Sequence, residues 1–260
     1  MSENEQQSSE EKAERIAKVM SRAGLCSRRD AERWIADGRV KVNGQVLDSP
    51  AVTVTAADQI LVDGKPLPSA ETTRLWRYYK PAGLVTSHKD EKGRMTVFDK
   101  MPADMPRVIS VGRLDLDSEG LLLLTNDGEL ARQLELPETG WTRRYRVRVY
   151  GGVDERQLKS LMRGVTVDGV RYGPIKATFD NEDEARKANA WLTVSLAEGK
   201  NREIRKVLAH LGLEVNRLIR TAYGPFQLGK LARGGIEEVK GKVLKEQVAG
   251  FRRNRKRKGQ

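Results

Sequence analysis

Cysteine and histidine are almost absent from this sequence: Cys26 is the single cysteine in 260 residues, and His88 and His210 are the two histidines. One thiol excludes an intramolecular disulfide, and two scattered histidines leave no Cys/His zinc cluster to assemble. The same scarcity argues against Ser-His-Asp and Cys-His mechanisms, so any catalysis has to rest on carboxylates, tyrosines and cationic side chains. Also missing is a run near the roughly 18 apolar residues of a membrane span. The opening MSENEQQSSEE lacks the basic region followed by an apolar one that marks export. A cytoplasmic protein without metal, membrane contact or internal solenoid repeat is expected.

Cationic charge is plentiful. Forty-eight Lys and Arg against 36 Asp and Glu give a net +12, a balance that favours a polyanionic partner. Half of that excess sits in RRNRKRK, residues 252 to 258, and without it the body still carries about +6. Residues 1–11 read as a disordered acidic tail and 241–260 as a basic tail, since neither end can bury a core.

A helical period begins at Glu14, with Ile16, Val19, Met20 and Ala23 on one face, and Gly24 ends it. Ser27 with Asp30 three residues on is a capping-box start for a second helix, striped by Ala31, Trp34 and Ile35 and stopped at Gly38. Asn43-Gly44 inside RVKVNGQVL signals a hairpin. These elements make a compact module over 12–68. Arg15, Lys18, Arg22, Arg28, Arg29 and Arg33 lie on its helices, with Glu14 and Glu32 as the nearby acids besides Asp30. Such a cluster suits phosphate binding.

A Pro-, Ser- and Thr-rich stretch ends in a linker over 69–74. From 75 to 240 a second domain is expected, with strands at 75–79, 108–115, 120–127, 143–150, 190–196 and 215–223 and helices at GELARQLE, DERQLKSLMRG and NREIRKVLAHLG. The helices are too few and too unevenly placed for a doubly wound parallel sheet. The predicted class is α+β: a small N-terminal module, then a mixed, mainly antiparallel sheet with packed helices.

Chemistry concentrates in VGRLDLDSEGLLLLTNDG, Val111 to Gly128. Asp115, Asp117, Glu119 and Gly120 match the first half of a calcium loop, but position 12 falls on Asn126, where a bidentate Glu is needed. A two-carboxylate glycosidase would bracket the scissile bond from opposite sides, which two neighbours on one strand cannot easily do. One catalytic carboxylate is the economical reading.

GRLDLDSEGLLLLTNDG resembles the catalytic motif of the pseudouridine synthases related to the 16S ribosomal RNA enzyme, in which the Asp of GRLD is essential; here that is Asp115. YYKPAGLVTS, RRYRVRVYGG, EGKNREIRKVLAHLG and VNRLIRTAYGPF resemble the family's further motifs in the family's order. Residues 14 to about 62 resemble the RNA-binding domain named after ribosomal protein S4. Ser118 stands where many members carry Thr. YYKPAG, GRMTVFDKMP and the basic tail look most like the B-type enzymes of the large ribosomal subunit, which modify 23S rRNA near the peptidyl-transferase centre. Enzymes acting on 16S or transfer RNA, and a non-catalytic assembly factor with this fold, are the alternatives.

The resemblance implies isomerisation of a uridine in ribosomal RNA, free or in a pre-ribosomal particle, by a monomer that needs no cofactor and no small-molecule substrate. It implies that Asp115 either attacks ribose C1′ or takes the 2′ proton, that Tyr145 packs on the target base, and that Arg205 pairs with Asp115, Arg202 being its nearest rival. An ionised carboxylate in a water-poor pocket requires such a cation. Alternation along RRYRVRVY puts Tyr145 with Val147 and Val149, away from Arg144, Arg146 and Arg148. Arg113, expected on the same strand face as Asp115, would contact phosphate, hold the displaced strand or form a structural salt bridge.

Overall fold

The computed structural model describes residues 13–69, 71–181, 183 and 188–248. They fall into two compact units, the first running up to Thr73 with Pro106–Val108 added, the second comprising Arg74–Met105 and everything from Ile109 on. The acidic start and the RRNRKRK run lie outside the described residues.

In the first unit, Glu14–Arg15 (β1) precedes helices Ile16–Arg22 (α1) and Arg28–Ala36 (α2). Strands Val40–Val42 (β2), Gln45–Val46 (β3), Thr53–Val54 (β4), Ile60–Val62 (β5) and Lys65–Pro66 (β6) follow. The capping box forms as expected: Ser27 Oγ accepts the Asp30 N–H at 3.0 Å, and Asp30 accepts the Ser27 N–H. Asn43 and Gly44 take positive φ of 50° and 84°, and the β2–β3 hairpin closes over them. The start of the first helix differs from expectation. Glu14 and Arg15 pair with Val54 and Thr53 instead. Arg15 offers no capping side chain, and the strand pairing satisfies the backbone there. Ile16, Met20, Ala31, Ile35 and Val40 form the centre of this unit's core. Cys26 joins it, its thiol pushed up to about 11 by burial, so the lone cysteine is a packing residue.

The second unit runs Leu75–Lys80 (β7), Ile109–Val111 (β8), Glu119–Thr125 (β9), Gly128–Glu135 (α3), Arg143–Tyr150 (β10), Glu155–Ser160 (α4), Val165–Val167 (β11), Val170–Tyr172 (β12), Ile175–Phe179 (β13), Asn189–Leu196 (β14), Glu203–His210 (α5), Glu214–Tyr223 (β15), Phe226–Gln227 (β16) and Ile236–Glu238 (β17). The sheet order is β13-β14-β10-β15-β9-β7-β17, with β16 on β15 and β8 on β9. Of these pairings only β15 with β9 is parallel, which is the mixed, mainly antiparallel sheet expected. Residues 241–248, expected with the basic tail, are helical, and Leu244 is buried in the core beside Leu121, Leu123 and Ile219.

Leu121 to Leu124 are wholly buried. Successive side chains of a strand point to opposite faces, so four buried leucines in a row mean that β9 is covered on both sides. That fixes the centre of the sheet and, with it, the loop that enters β9. Gly120 lets β15 close on it: with φ +103° and a would-be Cβ only 2.7 Å from the Arg220 nitrogen, no other residue fits the parallel contact without displacing the backbone.

Candidate active site

The segment that carries Asp115 is a loop. The expected strand over 108–115 stops at Val111, because Gly112 turns the chain at φ +66° and residues 113–115 make no ladder. Arg113 and Asp115 therefore share no strand face, which corrects that expectation. Side chains from elsewhere hold the loop in place.

Lys80, at the end of β7, is wholly buried and donates to three carbonyls: Ser118 at 2.8 Å, Asp115 at 3.0 Å and Pro81 at 3.1 Å. Thr86 Oγ1 donates to the Leu114 carbonyl at 2.8 Å, the Gly83 N–H to the Leu116 carbonyl at 2.7 Å, and Glu135 accepts the Gly112 N–H at 2.6 Å. Lys80, Gly83 and Thr86 all belong to YYKPAGLVTS, so one motif is the bracket of the other. Burial drives the Lys80 ammonium down to about 8 against the attraction of Asp115, Asp117 and Glu119. It remains mostly charged at neutral pH, where three carbonyl dipoles meet it.

The loop opens on a cavity of about 330 Å³, within the range of small-ligand sites. Asp115, Arg113 and Ser118 line it from the loop, Tyr145 and Arg143 from β10, Leu196 from β14, Lys200 to Ile204 from the turn into α5, and Leu218, Arg220 and Tyr223 from β15. Tyr145 lies where alternation puts it, on the face of Val147 and Val149, with Arg144, Arg146 and Arg148 exposed on the other. Leu218, Leu196 and Ile204 supply apolar wall, and the cations ring it.

The arginine pairing differs from the one implied. Arg202, forced to φ +50° just before α5, grips Asp117 with both terminal nitrogens at 3.1 Å and comes within 3.8 Å of the Asp115 carboxylate. Arg205 instead donates to the backbone carbonyls of Asp117 and Val215 at 3.0 and 2.8 Å and lies 3.3 Å from the Asp117 carboxylate. It is largely buried, and that burial depresses its guanidinium pKa. The geometric reason is register: Arg205 sits one turn into the helix and reaches the loop's backbone, while the strained turn residue Arg202 faces the carboxylates. Burial would raise the Asp117 carboxyl, but Arg202 and Arg205 override it and hold the group below the usual carboxylate range.

Three contributors were missed in the sequence. Lys80 had a legible signal, because Trp76, Tyr78 and Lys80 alternate on the buried face of β7. Arg220, buried to 2% exposure with its Nε on the Leu121 carbonyl at 2.7 Å, had none beyond its place in VNRLIRTAY. Glu203 is buried beside the cavity, accepts the Lys200 N–H at 2.9 Å, and is pushed up to about 7 by burial with Glu198 close by.

The six cations of the N-terminal unit separate into two sets. Lys18 and Arg22 both end on Glu14, at 2.5 and 2.6 Å, and Arg33 ends on Asp30. Arg15, Arg28 and Arg29 are exposed without an ion pair among the described residues, and Arg15, Lys18 and Arg28 border one shallow groove. Among the described residues no three His, Cys, Asp or Glu side chains converge as metal ligands, and no helix is long and apolar enough to cross a membrane.

Residues 74–210 match the family model described as RNA pseudouridylate synthase, and residues 14–66 the S4 domain. A Rickettsia bellii protein named as an RNA pseudouridine synthase is 52% identical over 234 residues, 89% of this chain and 99% of its own. The ribosomal large subunit pseudouridine synthase B of Yersinia pestis is 41% identical over 233 residues, covering 87% of this chain and 72% of that one. A crystal structure of a pseudouridylate synthase superposes with a TM-score of 0.64 at 24% identity over 90% of this chain and 99% of the other, a likeness of fold.

Proposed function

This chain belongs to the RNA pseudouridylate synthase family, and from that premise we propose that it converts one uridine of ribosomal RNA to pseudouridine, the target lying in 23S rRNA near the peptidyl-transferase centre. One observation carries the reading: Asp115, Tyr145 and Arg202 converge on one cavity whose Asp115 loop is fixed from beneath by buried Lys80. The 23S target is supported by the likeness to a protein named for the large subunit.

The uridine must leave its stack to reach such a cavity. Tyr145, backed by Val147, presents a flat ring to the extruded base, a contact worth about 1–3 kcal/mol. The N1–C1′ bond then breaks, the base turns, C5 bonds to C1′, the C5 proton leaves and N1 gains one. Atoms and charge balance within the substrate, so the reaction calls for no cofactor. Asp115 starts it from the ribose side, either by attack on C1′ as N1 departs, with C5 later displacing the carboxylate, or by taking the C2′ proton and returning it once C5 has bonded to C1′. In both routes Arg202 stands 3.8 Å from the carboxylate that acts. Arg205 is a positioning residue in this scheme, fixing the backbone of Asp117, and Arg113, on the cavity lining, is assigned to RNA phosphate. The same reading makes the protein a cytoplasmic monomer acting on rRNA or a pre-ribosomal particle, anchored by Arg15, Arg28 and Arg29 with Lys18, Arg22 and Arg33 as a paired reserve.

Mapping pseudouridine in rRNA from cells with and without the gene tests the target; an unchanged 23S map defeats that assignment. For the purified protein, Asp115→Asn should leave no measurable turnover with RNA affinity within about threefold of the parent. Residual turnover by that variant would move the chemistry off Asp115. A 2′-deuterated substrate separates the two routes, since a primary isotope effect accompanies proton removal only.

A further inference from the structure

The outward face of β10 and its neighbours has no part in the scheme above. Register places Arg144 opposite Ser195 and Ser195 opposite Lys176, while Arg146 stands opposite Thr193 and Thr193 opposite Thr178. Residues directly opposite share a face, so two rows of cations and hydroxyls cross three strands, about 7 Å apart along the strands. Thr142, Arg144, Lys176, Thr178, Thr193 and Ser195 line a shallow depression of about 390 Å³.

The rows differ in freedom. Arg146 is engaged: its Nε lies 2.6 Å from Asp180, which also accepts from Thr193 at 2.8 Å, and its guanidinium sits 4.3 Å from the Trp191 ring centre. Arg144 and Lys176 are exposed and make no ion pair among the described residues. Asp180, the acid beside the second row, is taken up by Arg146 and Thr193. Here unpaired cations stand among hydroxyls, the donor set that grips phosphate oxygens without reading sequence.

Position adds the second argument. Arg143 and Leu196, which pair with each other, line the catalytic cavity on one face of the sheet. Thr142, Arg144 and Ser195, their immediate neighbours in the chain, line the depression on the other. Cavity and depression therefore share one end of β10 and β14, and a strand leaving the cavity needs only to turn around that end. We propose that this face is a second RNA track, holding the sugar-phosphate backbone that flanks the target uridine. The proposal rests on the reading of the chain as an RNA-modifying enzyme.

The test uses the full chain carrying Arg144→Ala and Lys176→Ala, two exposed positions whose loss leaves the core intact, with unchanged thermal melting as the check. Affinity is titrated against salt for two RNAs, a short stem-loop confined to the target and a longer rRNA fragment with its flanks. On the long RNA we expect binding to weaken about three- to tenfold at 0.1 M salt, and the slope of log K against log salt to fall by about 1.4–1.8, the signature of two lost phosphate contacts. Affinity for the short RNA and kcat on it should not change, and Arg144→Lys with Lys176→Arg should restore the slope. An unchanged slope on the long RNA overturns the proposal. So does equal weakening on both RNAs, which means damage to β10, or a loss seen with ribosomal particles but not naked RNA, which means a protein partner. The parent protein separates this from the proposed function: if it forms no pseudouridine in either RNA while the slopes still differ, the catalytic reading fails and the track stands.

Discussion

The Asp115 loop and the N-terminal helix pair are both dense in charge, yet they hold it in opposite ways. Beneath the loop, three cations are buried or nearly so and satisfied by backbone, Lys80 on three carbonyls, Arg205 on two and Arg220 on one, while Arg202 takes carboxylates at the surface. On α1 and α2 they are exposed or half-exposed and satisfied, where an ion pair is made, by a carboxylate three to eight residues away. A buried donor removed leaves its acceptors stranded, at about 1–3 kcal/mol each, whereas an exposed pair is worth at most about 1 kcal/mol. The first arrangement fixes a geometry and the second tunes an affinity.

Lys80→Met breaks the contrast hardest. Its apolar end leaves the Pro81, Asp115 and Ser118 carbonyls unmet, so denaturant unfolding should show a loss on the order of 3 kcal/mol. Activity should fall at least a hundredfold under conditions where the protein remains folded. A variant with parental stability and turnover would show that the loop holds itself.

Asp117→Asn comes next. The amide keeps the shape but loses the charge that anchors Arg202 and Arg205, so kcat should drop about ten- to a hundredfold with KM within a factor of about three. Because the carboxyl lies below the usual range, the ratio of variant to parent should be flat from pH 6 to 8. A defect equal to that of Asp115→Asn would revive a mechanism with two carboxylates.

Glu203→Gln sharpens the comparison through pH. Burial raises this acid to about 7 from 4.5, so between those values the folded protein binds more protons than the unfolded one. Its stability is therefore fully present below pH 4.5 and declines as pH rises through about 7. Glutamine mimics the protonated acid, accepting from Lys200 and donating toward Glu198. Thermal melts should match at pH 4.5 and diverge in the variant's favour by pH 8; parallel curves would mean that Glu203 is ionised throughout.

The smallest effect belongs to the helix pair. Glu14 is held below the usual carboxylate range by Lys18, with Arg22 adding to it. Glu14→Gln should release both cations and raise RNA affinity about two- to threefold at low salt with a steeper salt slope. An unchanged or weaker affinity would place the RNA contact away from these side chains.

The sequence by itself determined whatever depends on neighbours along the chain. The capping box at Ser27, the Asn43-Gly44 turn, the full extent of β10 with Tyr145 on its apolar face, and the buried Leu121–Leu124 strand are all local patterns whose period or turn chemistry specifies them. Even Lys80 was legible in principle from alternation with Trp76 and Tyr78. Tertiary structure alone decided what joins distant residues. It ended β8 at Val111, since the Asp115 loop finds its hydrogen bonds on Lys80, Thr86, Gly83 and Glu135 and not in a ladder. It gave Arg202 the carboxylates and Arg205 the backbone, and it brought β15 onto β9 where Gly120 makes room. The physical reason is that a charged side chain takes the partner its fold puts within about 3 Å, and spacing in the sequence says nothing about a partner 88 residues away.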